Sequence, residues 1–258
     1  MKNLFRSLGF TKAPQRPARQ RISLDISHIA VYAIGDVHGC YDQLVALERI
    51  IEADASRLPD PKLIVMLGDY IDRGPAPAEV LEHLIGPPPD GFYRICLMGN
   101  HELAMLDYLD GQLPLKDWLK LGAAATLFSY GIDVDHMKKT YRSAKTLNEA
   151  IRSAIPERHV EFLRSLPILV DSGFFLFAHA GIRPGVPPAE QTEDDLIFIR
   201  DEFFNNAHLL DRWVVHGHTP VETAGPAGRR INVDTGAFFS DRLSAVRLWN
   251  RKGRILST

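Results

Sequence analysis

Three short stretches place charged or metal-binding side chains directly behind a glycine: GDVHG (Gly35–Gly39), GDYIDRG (Gly68–Gly74) and GNHE (Gly99–Glu102). Two histidine-bearing stretches follow, HAG (His179–Gly181) and HGHT (His216–Thr219). Carboxylates, an amide oxygen and imidazoles form a mixed nitrogen–oxygen donor set, which suits Mn, Fe or Zn better than Ca or a thiolate-loving ion. The set is too large for one tetrahedral ion. Sharing a carboxylate, it could serve two divalent ions about 3.5–4 Å apart, the spacing of two-metal phosphoryl-transfer sites.

These residues need a mount that brings distant parts of the chain to one rim. Each stretch closes or follows a short apolar run: Ile29–Asp36, Leu63–Asp69, Tyr93–Asn100, Phe174–His179 and Trp213–His218, with Ile231–Gly236 and Leu243–Trp249 beyond them. Apolar runs of this length, bounded by Gly or polar residues, suit strands buried on both faces. In open α/β sheets, sites gather outside the carboxyl ends of the strands. A Gly at a strand end lets the chain turn sharply and lets backbone approach a ligand. Leu44, Leu47, Ile50 and Ile51 follow helical spacing after Tyr41, and Ala78–Ile85 predicts a second helix behind Pro75 and Pro77. Strand, helix and strand at about 30-residue spacing have the size of a βαβ unit. The later strands lie closer together, which predicts antiparallel pairing there. The expected fold class is α/β, with two packed mixed sheets and flanking helices. Residues 103–167 read as a helical insertion, with Trp118, Leu119 and Leu121 on one helix face.

The chain is 258 residues long, enough for one large domain with an insertion. Its net charge of −2 gives no support to a duplex nucleic-acid partner. Lys2, Arg6, Lys12, Arg16, Arg19 and Arg21 all precede the first acid, Asp25, with Pro14 and Pro17 among them. This composition predicts a flexible basic tail over residues 1–27, with weak docking to an acidic partner or membrane surface as its further reading. A single folded domain over 28–258 follows. Cys40 and Cys96 are too few for a disulfide framework, and no apolar run reaches about 18 residues. A cytoplasmic enzyme without a transmembrane segment is expected. Oligomeric state is not legible.

In their order, GDVHG, GDYIDRG, GNHE, HAG and GHT resemble the phosphoprotein phosphatase family of calcineurin-like binuclear metallophosphoesterases. The nearer resemblance is to bacterial and bacteriophage serine/threonine protein phosphatases. It implies a central β-sandwich flanked by helices. By motif, Asp36 and His38 would bind one metal, Asp69 would bridge both, and Asn100, His179 and His218 would complete the second. The GHT motif selects His218 over His216, which reads as a strand residue. The resemblance makes His101 the general acid and Asp72 its orienting partner. Arg73, Arg200 (in LIFIRDEF) and Asn100 would bind the substrate phosphate, with Glu102 and Asp234 as supports. It implies a metal-dependent phosphomonoester hydrolase with two divalent ions, Mn before Fe or Zn, and a phosphoprotein or phosphopeptide substrate. A metal-activated hydroxide would attack phosphorus directly, in line. A symmetrical dinucleoside tetraphosphate hydrolase, or another nucleotide or polyphosphate hydrolase, is the alternative within enzymes. A non-catalytic phosphate-binding scaffold is the alternative outside them.

Overall fold

Strand β2 (Ala30–Ile34) alternates its side chains between two apolar layers in the computed structural model, which describes residues 18–141 and 143–258. Val31 and Ala33 enter a layer between two sheets, while Tyr32 and Ile34 join a second layer beneath helices. Strand β3 (Lys62–Met66) does the same with Leu63 and Val65 against Ile64 and Met66. Burial on both faces is why these segments read as continuous apolar runs.

One sheet has five strands in the order β11-β10-β2-β3-β4, with β4 Phe92–Cys96, β10 Ser244–Trp249 and β11 Lys252–Ser257. The other has six, β1-β5-β6-β7-β9-β8, namely Arg21–Ser23, Leu169–Asp171, Phe175–Phe177, Trp213–His216, Arg230–Asn232 and Gly225–Ala227. The result is the expected mixed α/β sandwich with flanking helices. β2, β3 and β4 run parallel, with Ile34 opposite Met66 and Met66 opposite Cys96. That register releases Gly35–Asp36, Gly68–Asp69 and Gly99–Asn100 at one rim, staggered by one residue per strand. In the other sheet Phe177 faces Val215 and His216 faces Asn232, so His179, His218 and Asp234 leave at a common edge.

Helix α1 (Tyr41–Ala55) buries Leu44, Leu47 and Ile51, and the predicted face is off by one member: Ile50 is exposed. Helix α2 (Pro77–Ile85) starts on a proline, whose missing N–H costs nothing in a first turn. Helices α3 (Asn100–Leu109), α4 (Leu115–Leu119), α5 (Ala123–Ser129), α6 (Val134–Thr140), α7 (Ala144–Ala154) and α8 (Glu157–Ser165) fill the region read as an insertion. Their Trp118, Leu127, Ile151 and Leu163 belong to the same apolar cluster as α1 and α2, so this region shares the core. Short helices α9 (Glu193–Phe198), α10 (Asp201–Asn205) and α11 (Ala237–Ser240) complete the set.

Two expectations need correction. β6, β7 and β9 are parallel neighbours, not antiparallel ones. The chain passes β7, forms β8 at the sheet edge, and turns back as β9 between them, so close sequence spacing needed no direct hairpin with β7. The flexible tail is also too long as drawn: Arg21–Ser23 pair in parallel with Leu169–Asp171. Arg21 Nη1 donates to the carbonyls of Pro188 and Ala189, at 2.7 Å each. A three-residue strand leaves no periodic trace in sequence. The rest of the tail reading, residues 1–17, lies outside the described residues. Among the described residues, no helix is long and apolar enough to cross a membrane.

Candidate active site

Five of the motif residues hold left-handed backbone: His38 (φ 46°), Asp69 (54°), Asp72 (68°), Arg73 (70°) and His218 (67°). Such residues each carry strain of about 1–3 kcal/mol and persist only where surrounding structure over-determines them. Here they turn the chain at the strand ends so that side chains converge. Close approach requires glycine at two points. A Cβ on Gly217 would lie 2.0 Å from Asp36 Oδ1, and one on Gly99 would lie 2.3 Å from Asp69 Oδ1.

Asp69 is the meeting point. His38 Nε2 lies 3.5 Å from its Oδ2, and His179 Nε2 lies 3.5 Å from its Oδ1. The other nitrogen of each ring is occupied: His38 Nδ1 bonds the Ile71 carbonyl and His179 Nδ1 the Leu67 carbonyl, both at 2.9 Å. A carbonyl only accepts, so Nδ1 carries the proton in both rings. Two bare Nε2 lone pairs therefore face one carboxylate from either side. Acceptors facing acceptors with no proton between them fit a cation on each side of Asp69. Asn100 Oδ1 and His218 Nδ1 each lie 3.1 Å from His179 Nε2. Donor atoms of Asp69, His179 and His218 fall within 4.8 Å of one another, as do those of His38, Asp69 and His101. Asp36 is buried behind this rim and accepts the His218 N–H at 3.0 Å.

Electrostatics divides the four histidines. Burial pushes His38, His179 and His218 below the usual imidazole range, holding them neutral as ligation requires. His101 is pulled down by burial, but the Asp69 and Asp72 charges and the Asp72 hydrogen bond win, so its pKa is raised. Its Nδ1 is 2.7 Å from Asp72 Oδ2, and its Nε2 has no partner and lies 3.8 Å from Asp69 Oδ2. Proximity alone would allow His101 as a ligand; the raised pKa fits a proton donor instead. Burial, Asp234 and Asp69 push Asp36 well above the carboxylate range. Burial likewise takes Asp234 up to about 6. Asp69 goes the other way: burial opposes its ionisation, yet it falls below the usual range through the positive charge that the rings around it could carry, a charge that bound cations would supply where those rings are neutral. Three buried carboxylates at one rim call for positive charge.

The remaining predicted residues divide between site and scaffold. Arg73 is half-buried, with its guanidinium 4.8 Å over the Phe238 ring. Arg200 Nη2 reaches the His218 carbonyl at 3.4 Å. Neither guanidinium has a carboxylate partner among the described residues, which leaves both open to an anion. Glu102 accepts four backbone N–H groups, from Gly99, Asp69, Tyr70 and Ile71. His216 stands apart from the cluster: its ring packs edge-on against Phe203 at 5.0 Å, and burial pushes its pKa down to about 3. Phe238 and Phe239, in DTGAFFS, were not singled out in the sequence. Phe238 packs edge-on against His38 at 5.4 Å, and both Phe rings are partly exposed at the site, Phe239 at 65%.

Residues 29–243 match the family model of calcineurin-like phosphoesterases. The chain belongs to that family. It is therefore a hydrolase of phosphoester bonds in a metal-dependent family, and its His/Asp groups can hold metal ions. The chain is 27% identical to the asymmetrical bis(5'-nucleosyl)-tetraphosphatase PrpE of Bacillus subtilis strain 168 over 83% of this chain and 88% of the relative. A solved structure provisionally assigned as a diadenosine tetraphosphatase superposes with a TM-score of 0.60 at 22% identity, covering 93% of this chain and 98% of that one. The cold-active protein-tyrosine phosphatase of a psychrophilic Shewanella superposes with a TM-score of 0.55 at 18% identity, covering 92% and 82%. Both superpositions speak to fold. The serine/threonine protein phosphatase type read from the motifs is thus too narrow; the superfamily holds, and the sequence likeness over 83% of the chain is to a nucleosyl tetraphosphatase.

Proposed function

We propose that this phosphoesterase hydrolyses dinucleoside polyphosphates, cleaving a tetraphosphate bridge asymmetrically. The observation that carries the substrate class is the likeness to PrpE, which extends over most of both chains. This sets the alternative of a nucleotide or polyphosphate hydrolase ahead of the protein phosphatase, with asymmetrical in place of symmetrical cleavage. Partly exposed Phe238 beside the Arg73 guanidinium, with Phe239 packed on it, supports this, since aromatic faces accept a nucleobase by stacking.

Asp36, His38 and Asp69 would hold one divalent ion, and Asp69, Asn100, His179 and His218 the other, with Mn the first choice for this donor set. Such ions supply a water of lowered pKa and neutralise phosphate charge. Arg73 and Arg200 bind the non-bridging oxygens of the attacked phosphate, and the Asn100 amide would join them. Water adds to phosphorus and the bridging P–O bond breaks. His101 gives its Nε2 proton to the departing oxygen, and Asp72 holds the ring.

The test is a parallel kinetic comparison with added Mn²⁺ of a dinucleoside tetraphosphate and a phosphopeptide panel. The reading predicts a nucleoside triphosphate and monophosphate as products, with kcat/KM about tenfold or more above any phosphopeptide. Two nucleoside diphosphates would mean symmetrical cleavage. Faster phosphopeptide turnover would return the protein phosphatase, and no turnover of either would point to a scaffold.

A further inference from the structure

The helical region after GNHE has no motif of its own, yet it touches the GDYIDRG turn at four points. Thr126 Oγ1 donates to Asp72 Oδ1 at 2.5 Å and accepts the Asp72 backbone N–H at 2.9 Å. Trp118 Nε1 donates to Asp72 Oδ2 at 3.1 Å. The Arg73 N–H donates to the Gly122 carbonyl at 3.2 Å. Asp72, His101, Trp118 and Thr126 are all fully buried.

We propose that Trp118 and Thr126 are positioning residues for the proton donor, acting on His101 through Asp72. The donor inventory leads there. An indole N–H can only donate. The Thr126 hydroxyl already accepts from the Asp72 N–H, so its own hydrogen goes to Oδ1. With the His101 N–H, the Asp72 carboxylate receives three donors, two of them on Oδ2. Each oxygen of the carboxylate is therefore held by a donor from outside the dyad. Rotation of the carboxylate is blocked from both oxygens. His101 is thereby fixed with its Nδ1–H on Asp72 and its unpartnered Nε2, which bears the second proton of the imidazolium, towards the site. Trp118 is itself held by its contact with Tyr108 of α3, with ring centroids 5.1 Å apart, and α3 also carries His101. The helices α4 and α5 thus complete the acid dyad, a role separate from substrate choice.

The inference rests on His101 acting as the acid, so the test separates the two. Trp118→Phe, Thr126→Val, Thr126→Ser and His101→Asn are compared on aryl phosphates running from 4-nitrophenyl to unsubstituted phenyl. Thr126→Val and Trp118→Phe should lower kcat on phenyl phosphate by about 10- to 100-fold, with a much smaller loss on 4-nitrophenyl phosphate. Thr126→Ser, which keeps the hydroxyl, should restore most of it. At a pH high enough to take the second proton off the ring, nitrogen-15 NMR of the chain loaded with a diamagnetic ion should show neutral His101 protonated at Nδ1 in the parent and as a tautomer mixture in both variants. Equal losses across the leaving groups, or a Thr126→Ser loss matching Thr126→Val, would overturn the positioning role, as would an unchanged tautomer. A His101→Asn loss independent of leaving group would instead overturn the acid assignment, leaving the tautomer result to judge the positioning alone.

Discussion

Replacing Glu102 by Gln should be far more damaging than one exchanged atom suggests. Oε2 accepts N–H groups from Asp69 at 2.8 Å and Gly99 at 3.0 Å, while Oε1 accepts those of Tyr70 at 2.7 Å and Ile71 at 3.3 Å. An amide has one oxygen, so two of these buried N–H groups would face an NH₂ donor. Each buried unsatisfied donor costs about 1–3 kcal/mol, so the loss should be about 2–6 kcal/mol. That is a large share of a total stability of about 5–15 kcal/mol. The damage should fall first on the GDY turn, whose Asp69 lies between the two donor clusters. Burial, with the Asp69 charge beside it, pushes the Glu102 carboxyl up to about 8, and its N–H donors oppose that shift. Urea unfolding at about pH 9, where the parent side chain is a carboxylate, monitored by circular dichroism and paired with metal analysis, measures both effects. Glu102→Gln with parental stability and metal content would mean the side chain works as a neutral acid, and the four-donor reading would be wrong.

Other substitutions probe separate parts of the site. Gly217→Ala places a Cβ 2.0 Å from Asp36 Oδ1. It should lower metal affinity about tenfold or more by displacing Asp36, read by calorimetric Mn²⁺ titration. Arg73→Lys loses the planar fork, so inhibition by inorganic phosphate should weaken about tenfold; an unchanged inhibition constant removes Arg73 from phosphate binding. His216 has its folded pKa lowered to about 3, so the unfolded chain binds the proton more readily between that value and the ordinary one near 6.5. Its stabilising contribution is whole above about pH 6.5 and is lost as pH falls through that window. With chelator present, His216→Phe should therefore flatten the decline in unfolding free energy from pH 7 to pH 5 by about 2 kcal/mol, and parallel curves would contradict this.

The strand mounts were legible because burial on both faces makes a run such as Leu63–Leu67 apolar throughout, and its glycine ending marks the rim. Those endings brought Asp36, His38, Asp69, Asn100, His101, His179, His216 and His218 towards one rim, and the family resemblance, not the spacing, chose the six ligands among them. β1, β5 and β8 were not legible: each is three residues long, as β6 and β9 are, but none runs into a Gly- or His-bearing motif that would mark its end. Trp118 read as a helix-face apolar residue because its N–H, the atom that matters, leaves no mark on hydrophobic spacing. Phe238 and Phe239 were passed over for a related reason. A phenylalanine in sequence reads as core, and only the turn after Gly236 (φ 66°) puts this pair at the rim.

The central claim is that Asp69 is shared by two cation positions, each meeting a bare imidazole nitrogen 3.5 Å from one of its oxygens. Counting Mn²⁺ bound per chain, in the parent and in Asp69→Asn, tests it most directly. The parent should bind two ions, and the variant should lose affinity at both positions together, since one carboxylate serves both. A variant that keeps two tightly bound ions, or loses only one of them, would contradict the shared role.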